Sequence, residues 1–132
     1  ALFTYVVVAE DHDKAREIIE LPGRMTIATW SKAVQHLKLK GSIPEEFQLT
    51  RFISNQENVA RLLEHTLEAV PSEAIDEFFV YGSPDDCIER IERYLKAGVK
   101  HFIVAMFVQL KIMEETLRIY AEKVVPYFRE EK

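Results

Sequence analysis

The chain has 132 residues, 48% of them apolar and 30% charged, with a net charge of −5. That is enough for one domain with a sizeable core and short for two, so residues 1–132 read as a single domain. The acidic balance, without a basic stripe beyond Lys38, Lys40 and Arg51, argues against a nucleic-acid partner.

Residues 2–9 form a continuous apolar, β-branched run, the pattern of a strand covered on both faces. This run has no basic leader and is followed at once by Glu10, Asp11 and Asp13, so it is not expected to be a signal peptide. No apolar run reaches the roughly 20 residues that cross a bilayer, and a cytoplasmic location is expected. Asp11 or Asp13 caps the next helix, whose apolar face carries Ala15, Ile18 and Ile19, and Pro22-Gly23 is expected to stop it. A second helical pattern places Trp30, Ala33, Val34 and Leu37 on one face, with Gly41 near its end. Ile43-Pro44 imposes extended or turn geometry, and Glu45-Glu46 opens a short turn.

Ser54 to Glu57 reads as a capping box for a helix with Val59, Leu62, Leu63, Thr66 and Leu67 at helical spacing, closed by Pro71. Residues 77–81 and 101–107 read as the second and third strands. Between them Ser83 caps a helix with Pro84 at its first position and Asp86 three residues on, and Gly98 suits the left-handed residue that ends it. From about Ile112 a last helix places Met113, Leu117, Tyr120, Ala121, Val124 and Phe128 on one stripe, with Pro126 bending or ending it.

The lone Cys87 excludes an internal disulfide and a Cys-rich zinc site, and has no CxxC partner for redox work. On a face shared with Ile91, Tyr94 and Leu95 it reads as a small buried apolar residue. The histidines at 12, 36, 65 and 101 lack HxxxH or HExxH spacing, so no metal is expected.

Strands alternating with helices indicate an α/β fold with a parallel sheet. Three strands apolar on both faces need cover that this chain does not supply, whereas a closed barrel takes eight strands and roughly 250 residues. The expectation is therefore a missing partner half, a second copy, or an open sheet with one face exposed. A chain that opens with Ala1 already at a strand also reads as a piece of something longer.

Three stretches, Phe79 to Ile88 (Phe-Val-Tyr-Gly-Ser-Pro-Asp-Asp-Cys-Ile), Tyr94 to Val104, and Ala121 to Phe128, together resemble the carboxyl-terminal part of the luciferase-like monooxygenase superfamily. Tyr5 to Asp11, followed by Lys14-Ala15-Arg16, is similar to another strand and helix of that family, and Ile43 to Phe47 has a counterpart. The resemblance implies parallel β/α units from the carboxyl-terminal part of a (β/α)8 TIM barrel, with the seventh-to-eighth crossover around Gly82-Ser83. It also implies an oxidoreductase using reduced FMN or the deazaflavin coenzyme F-420 on a small substrate, usually as a dimer, in the manner of methylenetetrahydromethanopterin reductases. The family's early strands are absent, so no catalytic acid or base carries over and this segment alone is expected to be inactive. Gly82 and Ser83, after one strand, are candidate cofactor contacts because a helix amino terminus suits a phosphate. Met106 and Phe107, after another, are candidates for lining a ring pocket, and Phe107 to Lys111 for an active-site loop. The competing reading is a non-catalytic, self-associating α/β module.

Overall fold

A computed structural model describes residues 1–106 and 109–130 of the chain. Two compact units are distinguished, Ala1–Ile19 together with the chain from Phe78 onward, and Glu20–Glu77.

The first unit is α/β. Strand β1 (Leu2–Val8) is central in a three-stranded parallel sheet of order β2-β1-β3, flanked by β2 (Val80–Gly82) and β3 (Phe102–Ala105). The register pairs Val6 with Val80 and Val8 with Gly82 on one side, and Leu2 with Phe102 and Tyr5 with Ala105 on the other. The strands expected to be barrel neighbours are therefore not paired, because β1 lies between them. The second strand is also shorter than residues 77–81 suggested: helix α4 (Ile75–Phe78), with Asp76 and Glu77 in its first turn, runs up to it.

One face of the sheet is a closed core. Val6, Val8 and Val80 are buried with Cys87 and Ile91 of α5 (Pro84–Lys96), Ile119 of α6 (Leu110–Ile119), and Val124. Alternation along β1 sends Phe3, Tyr5 and Val7 to the opposite face, where Phe3 is 49% and its partner Ile103 54% exposed. This face is open only at its Phe3 and Ile103 end; Tyr5 is half-buried and Val7 is buried.

Local chemistry sets the ends of α5. Its last turn closes on Gly98 at φ +96, with the Val99 N–H donating to the Tyr94 carbonyl at 3.0 Å and the Gly98 N–H to the Leu95 carbonyl at 3.0 Å. Cys87 and Ile91 form the buried face, whereas Leu95, expected beside them, is 41% exposed.

The carboxyl-terminal helix keeps part of its expected stripe: Val124 is buried, and Tyr120 and Phe128 pack against the same core. After α6 comes a π-helical turn, Tyr120–Val124, and then α7 (Val125–Glu130). Pro126 has no N–H to offer the preceding turn, and the wider π turn accommodates that loss. Thr116, Ile119 and Val124 are buried, while Leu117 and Ala121 are exposed. The Thr116 hydroxyl donates to the Val8 carbonyl at 3.2 Å, fastening α6 to the end of β1.

Helix α1 (His12–Thr29) begins where the Asp11 carboxylate accepts the Lys14 N–H at 2.7 Å. It runs through Pro22-Gly23, which was expected to stop it. A proline inside a helix costs about 3 kcal/mol, but Ala15, Ile19, Gly23 and Ile27 form a buried stripe at every fourth position. Full burial of Ile19 and Ile27 contributes about 2–3 kcal/mol each and outweighs the break.

In the second unit α2 (Ser31–His36) ends earlier than Gly41, and a 3-10 turn (Glu45–Phe47) follows Pro44. Helix α3 (Gln56–Ala69) is capped by Asn55 rather than Ser54, the Asn55 side chain accepting the Asn58 N–H at 2.8 Å. Its buried positions are Leu62 and Thr66, while Val59 and Leu67 are exposed. The Arg24 guanidinium donates to the Val70 and Leu67 carbonyls at 2.9 and 3.2 Å, satisfying acceptors at the end of α3.

The end of α2 carries a testable strain. Lys38 takes the left-handed position (φ +58), with its N–H on the Gln35 carbonyl and that of Leu39 on the Val34 carbonyl. A side chain there is disfavoured relative to glycine, so Lys38→Gly should stabilise the protein by about 0.5–1 kcal/mol despite glycine's greater unfolded-state entropy. A urea melt of the variant with an unchanged or lower midpoint would count against this account.

Candidate functional site

The carboxyl end of β2 concentrates polar groups. Gly82 ends the strand at φ +133, and the Ala9 N–H donates to its carbonyl at 3.0 Å, locking the β1 exit beside it. Ser83 and Asp86 form a reciprocal cap: the Ser83 hydroxyl accepts the Asp86 N–H at 3.2 Å, and Asp86 Oδ2 accepts the Ser83 N–H at 2.9 Å. Pro84 holds the first helical position. This cap is the one read from the sequence, since its partners lie only three residues apart.

The cap also changes what the loop offers a ligand. The Ser83 N–H, which would greet a phosphate, already bonds a carboxylate, and Asp85 and Asp86 put negative charge in the first turn. An incoming phosphate would have to displace Asp86. Gly82 and Ser83 thus stand at the sheet edge as expected, in a setting better suited to uncharged contacts than to an anion.

His12, the first residue of α1, reaches the same carboxylate, with Nδ1 3.2 Å from Asp86 Oδ2. Its ring packs against Tyr81 at 5.3 Å between centroids, and the Arg16 guanidinium carbon lies 5.6 Å from the centroid of the Tyr81 ring. His12 was not singled out in the sequence. It lies 74 positions from Asp86, and no spacing rule joins them. The available sign is that both residues lie in the first turn of a helix that follows a strand.

Met106 follows β3 and is half-buried. Because β3 lies on the far side of β1 from β2, the register separates Ala105 from Gly82 by roughly 14 Å of sheet. Met106 is thus not gathered into the cluster around Gly82. Phe107 lies outside the described residues, as does part of the expected loop from Phe107 to Lys111. Leu110 and Lys111 belong to α6.

Two titrations characterise the edge. Burial acts to raise the Asp86 carboxyl, but hydrogen bonds from the Ser83 backbone and side chain and from His12 outweigh it, and the net shift is downward. A depressed folded-state value means that the stabilisation is full above the unfolded carboxyl range near pH 3.9 and is lost as pH falls through the folded one. Between about pH 6 and pH 3 the wild type should lose more stability than Asp86→Asn. Parallel urea midpoints for the two proteins across that range would contradict the assignment.

Burial, followed by the nearby Asp86 charge, pushes the Cys87 thiol up to about 12. The native protein should not react with Ellman's reagent at about pH 8, and should release one equivalent once unfolded in guanidinium. Rapid native reaction would show that the thiol is accessible.

Among the described residues no three His, Cys, Asp or Glu side chains converge as metal ligands, and no helix is long and apolar enough to cross a membrane. No known protein family's sequence profile matches the chain, and comparison with curated proteins and with solved structures gives no match.

Proposed function

We propose that the chain is the carboxyl-terminal segment of a luciferase-like oxidoreductase, in which reduced FMN or coenzyme F-420 exchanges a hydride with, or drives monooxygenation of, a small substrate over the strand ends. The observation that carries this reading is the β2 to α5 to β3 unit. Its Gly82-Ser83-Pro84 loop, at the carboxyl end of a parallel strand, and its Gly98 stop occur in the order of the family's pattern. The cofactor would supply the redox chemistry, and this segment would supply part of the edge that orients it. Gly82, Ser83, Met106 and Phe107 are its proposed contacts, through ring and backbone rather than through a phosphate. In a closed barrel β2 and β3 would be neighbours, so this reading requires β1 to leave its central place once the remaining strands are present. The segment alone is proposed to be inactive as an oxidoreductase.

A second reading has its own support. Phe3 and Ile103 are opposite each other in register and both about half exposed, an apolar patch on a sheet type that is normally covered on both faces. A self-associating module would bury it against a second copy.

Titration with FMN and with F-420, followed by absorbance and fluorescence, separates the two. Micromolar binding supports the oxidoreductase segment. A flat titration together with a clean dimer on a sizing column supports the module.

A further inference from the structure

We propose that His12 and Asp86 form a proton-transfer dyad, with His12 Nε2 as the accepting atom at the carboxyl edge of the sheet and Asp86 as its positioning residue.

Topology brings the pair together. Strands β1 and β2 are parallel and in register from Val6 with Val80 to Val8 with Gly82, so the segments that follow them leave the same edge side by side. His12 starts the helix after β1, and Asp86 lies in the first turn of the helix after β2.

Hydrogen-bond chemistry then assigns the roles. An ionised carboxylate can only accept, so the ring nitrogen 3.2 Å from Asp86 Oδ2 must carry a hydrogen. In neutral His12 that is the Nδ1–H tautomer, which leaves the lone pair on Nε2. Asp86 is held in turn by the Ser83 N–H, so the ring is oriented by a group that is itself oriented. The Tyr81 ring supports the imidazole from the side, and the His12 side chain remains 54% exposed, open to a reactant. The Arg16 guanidinium packs over the same Tyr81 ring, 5.6 Å from its centroid. The substrate class this suits is a planar carbon or oxygen acid whose conjugate base is an anion.

No cofactor is needed for the test, so its outcome is separate from that of the flavin reading. The probe is 5-nitrobenzisoxazole, assayed with the full chain. His12 Nε2 takes the proton from C3, the C–H electron pair forms the nitrile as the N–O bond breaks, and 2-cyano-4-nitrophenolate is released. The imidazolium then returns its proton to buffer. The wild type should give a kcat/KM about tenfold above the second-order constant of free imidazole, or more. His12→Gln should fall to background. Asp86→Asn, which keeps an acceptor for the Ser83 N–H, should lower kcat about tenfold with KM unchanged. His36→Gln removes the histidine of a comparable but more exposed pair with Glu77, and should match the wild type. A wild type no faster than imidazole, or a folded His12→Gln as fast as wild type, would overturn the proposal. Should His12→Gln fail to fold, nitrogen-15 shifts of the wild-type ring decide the matter: the Nδ1–H tautomer is expected, and a dominant Nε2–H tautomer refutes the dyad.

Discussion

Gly82→Ala should destabilise the protein by about 3–4 kcal/mol, from two separate sources. The first is backbone strain. At φ +133 the position is open to glycine and costs other residues about 1–3 kcal/mol. The second is steric. A Cβ at Gly82 would lie 2.5 Å from Asp86 Oδ2, 2.6 Å from its Cβ and 2.9 Å from its Cγ. Rotating the carboxylate away relieves only part of this, because the Asp86 Cβ is fixed by the helix. Displacing Asp86 also removes the reciprocal cap, worth about 1 kcal/mol, and the His12 contact. Gly98→Ala is the natural control. Its φ of +96 is also left-handed, but a Cβ there meets nothing within 4 Å, so only strain of about 1–2 kcal/mol is expected. Urea denaturation followed by circular dichroism measures both. Equal losses at the two glycines would remove the steric part of the argument.

Phe79→Ala is expected to cost about 3–5 kcal/mol. Phe79 is 1% exposed, directly before β2, and meets the Tyr5 ring edge-on at 5.8 Å between centroids. Truncation removes the transfer free energy of a full aromatic side chain and leaves a void that the β1–β2 pairing cannot collapse into without losing register. Phe79→Leu retains most of the volume and should cost less than about 1.5 kcal/mol. Denaturant midpoints at constant slope would establish both values. A loss below about 1.5 kcal/mol for the alanine variant would mean that the site repacks freely.

Much of the local structure was legible because it is decided within three or four residues. Ser83 with Asp86, Asp11 with Lys14, Pro44 before its turn and Gly98 after its helix each act on neighbouring backbone, and all are found where their chemistry points. The misses have the opposite character. Pro22-Gly23 looked like a stop, but a buried stripe from Ala15 to Ile27 overrode it. The last stripe holds at Tyr120, Val124 and Phe128 and fails at Leu117 and Ala121, which are exposed. Asn55 replaced Ser54 as a cap because both are good capping residues, and only the three-dimensional path of the chain selects between neighbours.

By itself the sequence determined the α/β class, three parallel strand segments, the capped helix after Gly82, and a buried Cys87. These follow from periodicity and short-range hydrogen bonding. Tertiary structure alone decided that β1 stands between β2 and β3, that one sheet face leaves Phe3 and Ile103 open, and that His12 meets Asp86 across 74 positions. Strand order and such pairings depend on contacts between segments far apart in the chain. No local pattern encodes them, because their free energy exists only once the sheet has formed.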